Sequence, residues 1–200
     1  MKELFTIGHS NHPMERFREL LSQHDISAIA DVRSSPYSQY APQFNRDVME
    51  VWLRNAGVEY IFMGRELGAR SSEESCYVGE QAKYDLIAQS PVFREGLGRV
   101  LREAERHRLA LMCSEADPLG CHRTILVCRE LKRAAPQLRI VHILADGTTE
   151  THEEAERRLV GLHKLQPELF GELTSEAGII NRAYELQAKK IEFRKEPQER

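Results

Sequence analysis

The sequence has no long hydrophobic run. No segment approaches the roughly 18 consecutive apolar residues that a membrane-spanning helix needs. The first residues, MKELFTIGHSNHP, carry too short an apolar stretch for the core of a secretory signal. We therefore expect a cytoplasmic protein with no membrane partner.

Cysteine is scarce, and positive charge is not in excess. The four cysteines lie in a chain without an export signal, so we expect reduced thiols rather than disulfides. The formal net charge of −3 argues against a protein that coats nucleic acid nonspecifically, because such binding requires clustered Lys and Arg. The sequence contains neither GxxxxGK[ST] nor GxGxxG, so no motif supports ATP or NAD binding.

What the sequence does contain is the pattern of a globular α/β protein. Its 200 residues, 41% hydrophobic and 30% charged, are enough to bury one core. Short apolar runs alternate with stretches of helical periodicity, which is typical of βαβ units around a mostly parallel sheet. The predicted strands cover 4–7, 26–32, 58–63, 108–113 and 140–144. We therefore expect an α/β fold with about five strands.

The helical pattern also indicates the domain organisation. Helices are predicted over 13–24, from 44 or 45 to the stop at Gly57, and over 81–89, 92–107 and 124–133. The polar segment 64–79 is predicted to be a mobile loop. From residue 151 the pattern is wholly helical, and no Gly- or Ser-rich linker precedes it. We expect a single domain, 1–200, with 151–200 as a helical extension docked on it.

Chemically reactive side chains follow three of the predicted strands. Their ends read Gly8-His9-Ser10, Asp31-Val32-Arg33 and Cys113-Ser114-Glu115. In open parallel sheets, ligands bind in the crevice outside the carboxyl ends of the strands, because the strand-to-helix loops emerge there. The sequence therefore predicts a functional site at this edge of the sheet.

The segment LMCSEADPLGCHRTIL, 111–126, crosses that edge as it leaves the fourth strand. Gly120 would let the backbone turn, and the first amides of the next helix, near Cys121 and His122, would favour an anion. Arg123 adds a planar fork of donors suited to phosphate or carboxylate. A phosphate-bearing substrate is the natural expectation.

Several of these residues also have a structural interpretation. His9 suits acid–base chemistry, or a hydrogen bond that fixes a turn. Asp31 and Arg33 could clamp a substrate, or pair with each other at the strand end. Cys121 stands where a thiolate would be stabilised, but a small residue packed against the sheet explains it equally well.

A metal is disfavoured by the spacing of the candidate ligands. Cys113, Cys121 and His122, together with His9, are enough for zinc in number. However, a gap of seven residues followed by adjacent Cys and His does not match the usual Cys-x₂₋₄-Cys pattern. We therefore expect no metal site and leave the cofactor unassigned.

Taken together, the motifs resemble the DUF488 family of prokaryotic proteins. The resemblance rests on TIGHS, DVRSSPYS, GVEYIFMGRELGAR, LMCSEADPLGCHR, HEEAERRLV and AYELQAKKIEF, in that order along nearly the whole chain. It implies a Rossmann-like α/β fold of unassigned activity. The chain departs from the commoner LGGR by having Ala69 before Arg70. The motif positions are His9, Asp31, Arg33, Pro36, Phe44, Asn45, Cys113, Glu115, Asp117, Cys121, His122 and Arg123.

The leading hypothesis is an enzyme that acts on a phosphate-bearing small molecule, a nucleotide or a nucleic-acid end. The candidate catalytic residues are His9 and Glu115 for proton transfer and Cys113 or Cys121 as nucleophile. The candidate substrate-binding residues are Ser10, Asp31, Arg33, Asn45, Asp117, His122 and Arg123. One alternative is a noncatalytic nucleotide or nucleic-acid binding module that stacks bases on Tyr37, Tyr40 or Phe44. The other is a metal-dependent hydrolase.

Overall fold

A twisted sheet of six strands forms the centre of the protein. The computed structural model describes residues 3–167 and 174–195. The sheet has the order β3-β2-β6-β1-β7-β8; its first five strands are parallel, and β8 is antiparallel to β7. β4 and β5 form a separate antiparallel pair. The strands are β1 (Glu3–Gly8), β2 (Ala28–Asp31), β3 (Glu59–Phe62), β4 (Tyr77–Val78), β5 (Gln81–Ala82), β6 (Leu109–Cys113), β7 (Arg139–Ile143) and β8 (Thr149–Thr151).

Helices connect the parallel strands. They are α1 (Met14–Gln23), α2 (Arg46–Asn55), α3 (Gly64–Leu67), α4 (Tyr84–Gln89), α5 (Pro91–Arg106), α6 (Arg129–Ala134), α7 (His152–Leu162) and α8 (Glu176–Ile191). A π-helical segment, Arg123–Cys128, leads directly into α6. Capping explains some of these boundaries: Ser90 accepts a hydrogen bond from the Phe93 amide just before Pro91 opens α5. No helix in the described ranges is long and apolar enough to cross a membrane.

Both faces of the sheet are covered, which explains why its strands are apolar throughout. Successive side chains of β6 point to opposite faces. Ala110 and Met112 join the core beneath α1 and α2, whereas Leu109, Leu111 and Cys113 join the core beneath α5 and the helices that follow it. The predicted α/β fold with a mostly parallel sheet and helices on both faces is confirmed, with six strands in place of about five.

Two predicted segments differ from the structure. The segment expected to be a mobile loop, 64–79, begins with α3 and ends in β4, and the helix expected from 81 begins at Tyr84 after β5. α3 lies close to the loop that follows β2, since a Cβ atom on Gly64 would lie 1.9 Å from the carbonyl oxygen of Arg33. Only glycine permits that approach.

The last two helices, α7 and α8, pack on the second face of the sheet, which is the face that α5 also covers. Thr151 and Glu154 form a capping box that begins α7. Ala155 and Leu159 of α7 and Ala183 and Tyr184 of α8 are buried in the same core as Leu111. Residues 168–173 and 196–200 of the expected extension lie outside the described residues.

Candidate functional site

The three strand ends that carry reactive residues are neighbours in the sheet. β6 lies between β2 and β1. Beyond the strands, the His9 amide donates to the Cys113 carbonyl at 2.9 Å, and the Val32 amide donates to the Met112 carbonyl at 3.1 Å. The main chain therefore holds the three ends side by side at the carboxyl edge.

A buried ion pair occupies the β2 end. Arg33 donates through Nε to Asp31 Oδ1 at 2.9 Å and through Nη2 to Asp31 Oδ2 at 2.6 Å. Its Nη2 also donates to the Phe44 carbonyl at 2.9 Å. Tyr60 from β3 donates its hydroxyl to Asp31 Oδ2 at 2.6 Å. Burial, together with the Asp31 charge, raises the pKa of Tyr60, so its hydroxyl remains a donor.

His9 belongs to the same network. Its Nε2 accepts from Arg33 Nη1 at 3.0 Å, because a guanidinium can only donate, and its Nδ1 donates to the Ser10 carbonyl at 2.9 Å. The ring stacks on Phe44 with centroids 4.3 Å apart. Burial and the charge of Arg33 lower the pKa of His9 to about 4. His9 is therefore neutral, with both nitrogens engaged inside the protein.

Two thiols, an imidazole and a carboxylate meet at the end of β6. Cys113 Sγ lies 3.6 Å and Cys121 Sγ 4.0 Å from His122 Nδ1. The three residues are 3%, 1% and 7% exposed. On the solvent side, Glu115 Oε2 lies 2.9 Å from Cys121 Sγ. The other ring nitrogen of His122, Nε2, lies 3.0 Å from the Val32 carbonyl oxygen.

Protons are unevenly distributed among these groups. Although burial opposes it, the hydrogen bond with Cys113 and the charge of Arg123 lower the pKa of Cys121 well below its usual range. The hydrogen bond with Cys121, together with burial, raises the pKa of Cys113. Burial and the charge of Cys121 raise the pKa of Glu115. Since two anions 2.9 Å apart would repel each other, one proton is shared between Cys121 and Glu115.

Arg123 lies beneath the loop that joins β6 to the π-helical segment. It is 0% exposed, and its guanidinium donates to the carbonyls of Glu115 at 2.6 Å and Ala116 at 3.2 Å. Its main-chain amide donates to Cys121 Sγ at 3.4 Å. In this arrangement Arg123 faces the interior and fixes the loop, rather than facing the crevice where an anion would bind.

The other predicted substrate-binding residues occupy different places. Asp117 accepts from the Leu119 amide and pairs with Arg158. Asn45 accepts from the Ser38 amide at 2.7 Å and so shapes the loop before α2. Ser10 has a positive φ of 47° at the turn after β1. These three residues are not brought to the cavity that Cys113 lines.

A cavity of about 210 Å³ opens above the reactive groups. Its floor includes Cys113, Glu115 and His122, and its walls include Arg33, Arg70 and Phe193. The main chain of Arg70 is held in place by its amide, which donates to Ser34 Oγ at 2.9 Å. The exposed Arg70 guanidinium lies 4.4 Å from the centroid of the Phe193 ring. A larger groove of about 1020 Å³ lies elsewhere, between α4, α5, α8 and the π-helical segment with α6.

Sequence reasoning missed three contributors to this site. Tyr60 lies in a strand whose exposed positions gave no functional signal. Arg70 stands in the LGAR segment, but only the fold shows that it lines the same cavity as Glu115. Phe193 comes from the far end of the chain, and no local pattern could place it there.

A chain of buried polar groups runs from Arg123 to the surface on the second face of the sheet. Arg123 Nε donates to Thr6 Oγ1 at 3.4 Å, and Thr6 Oγ1 lies 2.8 Å from His142 Nδ1. His152 follows, with its Nε2 atom 3.0 Å from the Tyr184 hydroxyl. The sheet is therefore bridged to α7 and α8 by hydrogen bonds as well as by apolar packing.

The fold and site define a Rossmann-like α/β protein with thiol, imidazole and carboxylate groups at the carboxyl edge of its sheet. The family model described as "Domain of unknown function DUF488" matches residues 13–129. The chain belongs to the DUF488 family, as its motifs predicted. Comparison with the curated proteins and with the solved structures found no match.

Proposed function

We propose that this DUF488 protein is an enzyme that acts on the phosphate-bearing end of a small molecule, a nucleotide or a nucleic acid. The observation that supports it is the cavity of about 210 Å³, which is lined by Cys113, Glu115 and His122 together with Arg33 and Arg70. Acid–base and sulfur groups in one cavity with cations are what anion chemistry requires.

The two arginines of the cavity differ in how many hydrogen-bond donors they can offer to an anion. A guanidinium has five N–H donors, and Arg33 commits four of them: Nε–H and one Nη2–H to Asp31, the other Nη2–H to Phe44 and one Nη1–H to His9. It therefore offers one donor to a ligand. Arg70 has an exposed guanidinium on the cavity wall, so it is the principal anion-binding residue of the proposal.

Glu115 is the proton-transfer residue of the proposal. It is accessible from the cavity, and its carboxylate contacts Cys121 Sγ. His9 is assigned a positioning role instead, because both of its nitrogens already bond within the protein. The sequence hypothesis that gave both residues proton transfer is thus narrowed to Glu115.

The cavity volume limits what can enter. Sites for drug-sized ligands usually measure about 300–1,000 Å³, and this cavity has about 210 Å³. It has room for a phosphate and the atoms next to it, while the rest of a nucleotide or oligonucleotide would extend past Arg70 into solvent. A terminal phosphate is therefore the expected recognition element.

The test is turnover on phosphomonoesters, mononucleotides and oligonucleotides with 5′ or 3′ phosphate. Glu115→Gln should remove turnover, and Arg70→Ala should raise KM for the phosphorylated substrates. The matched controls are Glu80→Gln and Arg65→Ala, two exposed residues outside the cavity lining. Wild-type turnover in Glu115→Gln would contradict the assigned role.

Binding without turnover would favour the second candidate, a noncatalytic nucleotide or nucleic-acid binding module. Tyr37 and Tyr40 are 59% and 85% exposed in the loop after β2, which suits stacking on bases. In that case Tyr40→Ala should weaken binding of single-stranded oligonucleotides, and the affinity should fall steeply with salt.

A further inference from the structure

We propose that Cys113, Cys121 and His122 form a zinc site, with the two Sγ atoms and Nδ1 of the imidazole as ligands. The site does not depend on the proposed phosphate chemistry, because the three residues would hold the ion whatever the substrate. Two sulfur ligands and one imidazole are a soft donor set of the kind that selects zinc over magnesium or calcium.

The distances between the donor atoms fit one tetrahedral ion. With Zn–S bonds of about 2.3 Å and Zn–N bonds of about 2.1 Å, a tetrahedral ion separates its sulfur and nitrogen ligands by roughly 3.6 Å. The two S···N distances are 3.6 Å from Cys113 and 4.0 Å from Cys121. All three donor atoms lie within 4.8 Å of one another. The longer S···N distance would have to shorten by about 0.4 Å, and the two sulfur atoms, at most 4.8 Å apart, would have to lie about 3.8 Å apart.

The imidazole of His122 is oriented as a metal ligand. Its Nε2 lies 3.0 Å from the Val32 carbonyl oxygen, which can only accept, so Nε2 carries the proton in the neutral ring. The lone pair is then on Nδ1, the atom that faces both sulfurs. Metal-binding histidines commonly hold their second nitrogen in this way, on a carbonyl or carboxylate that fixes the tautomer.

A simple thiolate–imidazole pair explains the cluster less well. A proton can bridge Cys113 and His122, and Cys121 then shares its proton with Glu115, so no single proton links the three donor atoms to one another. An ion at the centre contacts all three. The main-chain amide of Arg123, which donates to Cys121 Sγ at 3.4 Å, gives the thiolate the outer hydrogen bond that zinc-bound sulfur commonly receives.

The fourth position of the ion would face the cavity. Among residues 3–167 and 174–195, no fourth His, Cys, Asp or Glu joins the group of three. Cys113 and His122 line the cavity floor, and Glu115 lies beside Cys121 at its edge. Three protein ligands with an open position next to a carboxylate are the arrangement of catalytic rather than structural zinc.

Charge and protons balance when the ion binds. Zn²⁺ replaces one proton on each thiol, so binding to the neutral residues releases two protons, and the two thiolates compensate the ion's charge. The remaining ligand at the open position is water. No oxidant or reductant is involved.

The spacing that disfavoured a metal has a structural explanation. Cys113 is the last residue of β6, whereas Cys121 and His122 directly precede the π-helical segment. The loop between them crosses the sheet edge and returns, held from below by Arg123. The short Cys-x₂₋₄-Cys spacing applies to ligands on one tight turn, and these ligands come from two different elements.

The experiment is metal analysis of the full-length protein without a histidine tag, purified under reducing conditions from cells supplied with zinc. Wild type should contain one equivalent of zinc by mass spectrometry. Cys113→Ser, Cys121→Ser and His122→Asn should each lose it. Cys128→Ser, a change at a buried cysteine outside the group, should keep it. Circular dichroism checks that the variants fold.

Cobalt substitution of the wild type provides a readout that needs no variant. Co²⁺ bound by two thiolates and an imidazole should give a sulfur-to-metal charge-transfer band in the near ultraviolet and the intense visible bands of a tetrahedral site. The proposal is overturned if wild type carries no more zinc than Cys113→Ser, if Cys128→Ser loses as much as the ligand variants, or if Co²⁺ gives no charge-transfer band.

The metal analysis also separates this proposal from the proposed activity. A protein that binds zinc but turns over none of the phosphate compounds keeps the metal site and loses the proposed function. A protein that turns over the phosphate compounds but never binds zinc or cobalt supports the proposed function and contradicts the metal site.

Discussion

Nε2 of His142 lies 3.1 Å from Nδ1 of His152, and both rings are fully buried. The direction of this hydrogen bond is fixed by its neighbours. The Tyr184 hydroxyl donates to Glu156, so it must accept from Nε2 of His152, which leaves Nδ1 of His152 to accept from His142. His152 is therefore neutral, and a proton added at its Nδ1 would leave two N–H groups facing each other.

Acid should destabilise the protein through its buried histidines. Burial lowers the pKa of His152 to about 4 and also lowers the pKa of His142, and burial together with the charge of Arg33 lowers the pKa of His9 to about 4. Unfolded histidine titrates near about pH 6.5. Below that pH the unfolded chain binds protons that the folded chain does not, so stability is lost as the pH falls toward about 4. Each histidine contributes up to about 1.4 kcal/mol per pH unit, measurable by urea unfolding.

His152→Gln should reduce this pH dependence. The charged groups around His152 are Glu153, Glu156 and Lys132, and all three remain in the variant. The slope of unfolding free energy against pH should decrease by as much as about 1.4 kcal/mol per unit. An unchanged slope would mean that His152 takes up a proton without unfolding the protein.

Arg123→Met should destabilise the fold rather than merely weaken ligand binding. The change removes the donors to the partly buried Glu115 and Ala116 carbonyls, and an acceptor left unpaired away from water costs about 1–3 kcal/mol. We expect a loss of about 2–5 kcal/mol in urea unfolding. Arg157→Ala, at an exposed position of α7, should stay within about 0.5 kcal/mol of wild type. A stable Arg123→Met protein that only lost phosphate affinity would instead support the original anion-binding interpretation.

Asp31 should be more sensitive to substitution than its partner Tyr60. Asp31→Asn leaves the Arg33 guanidinium buried without a counter-charge, which typically costs about 3–5 kcal/mol. Tyr60→Phe removes one hydrogen bond from a carboxylate that keeps Arg33, and should cost about 1–2 kcal/mol. Chemical denaturation of both variants measures the difference. Equal losses would show that Tyr60, and not the ion pair alone, holds the β2 end.

Two glycines near the site should differ in how strongly substitution by alanine affects stability. A Cβ atom on Gly8 would lie 1.9 Å from the Glu115 carbonyl oxygen, so Gly8→Ala must displace the loop and should cost about 2–3 kcal/mol. Gly120 has no atom within 4 Å of the added Cβ and no positive φ. Gly120→Ala should therefore change stability by no more than about 0.5 kcal/mol. Thermal unfolding of the pair checks both, and a large loss at Gly120 would restore the sequence expectation that its flexibility forms the turn.

The strands that could be predicted from the sequence are the buried ones, because burial on both faces gives them a continuous run of apolar residues. β1, β2 and β6 are apolar because helices cover both faces, and their boundaries were predicted to within two residues. β8 was missed because Thr149–Thr151 is short, polar and lies at the sheet edge, where one side needs no apolar residue. β5 was assigned to a helix because a two-residue strand has no periodicity to distinguish it.

The position of the site in the fold could be predicted from the sequence, but the contacts between its side chains could not. Parallel strands bring His9, Arg33 and Cys113 to one edge, so their meeting follows from topology alone. Which atoms face each other depends on the loop from Ser114 to Gly120 and on Arg123 beneath it, and those distances exist only in the folded chain. The Cys-His-Arg pattern by itself therefore predicts that Arg123 binds a ligand, and it leaves Cys113 and Cys121 as equal candidates for the nucleophile.

The cavity is lined by two separate parts of the chain, because Ile191 and Phe193 lie far along the sequence from the other lining residues. The reactive groups Cys113, Glu115, Cys121 and His122 all lie within the segment matched to the family, 13–129, whereas Ile191 and Phe193, which close the opposite side, lie beyond it. The candidate reactive residues and the residues that limit access to them thus lie in different segments of the sequence. Under the proposed function, exchanging α8 and residues 192–195 between related chains would reshape the entrance and leave Cys113, Glu115 and His122 in place, which makes this segment the natural one to vary when altering selectivity.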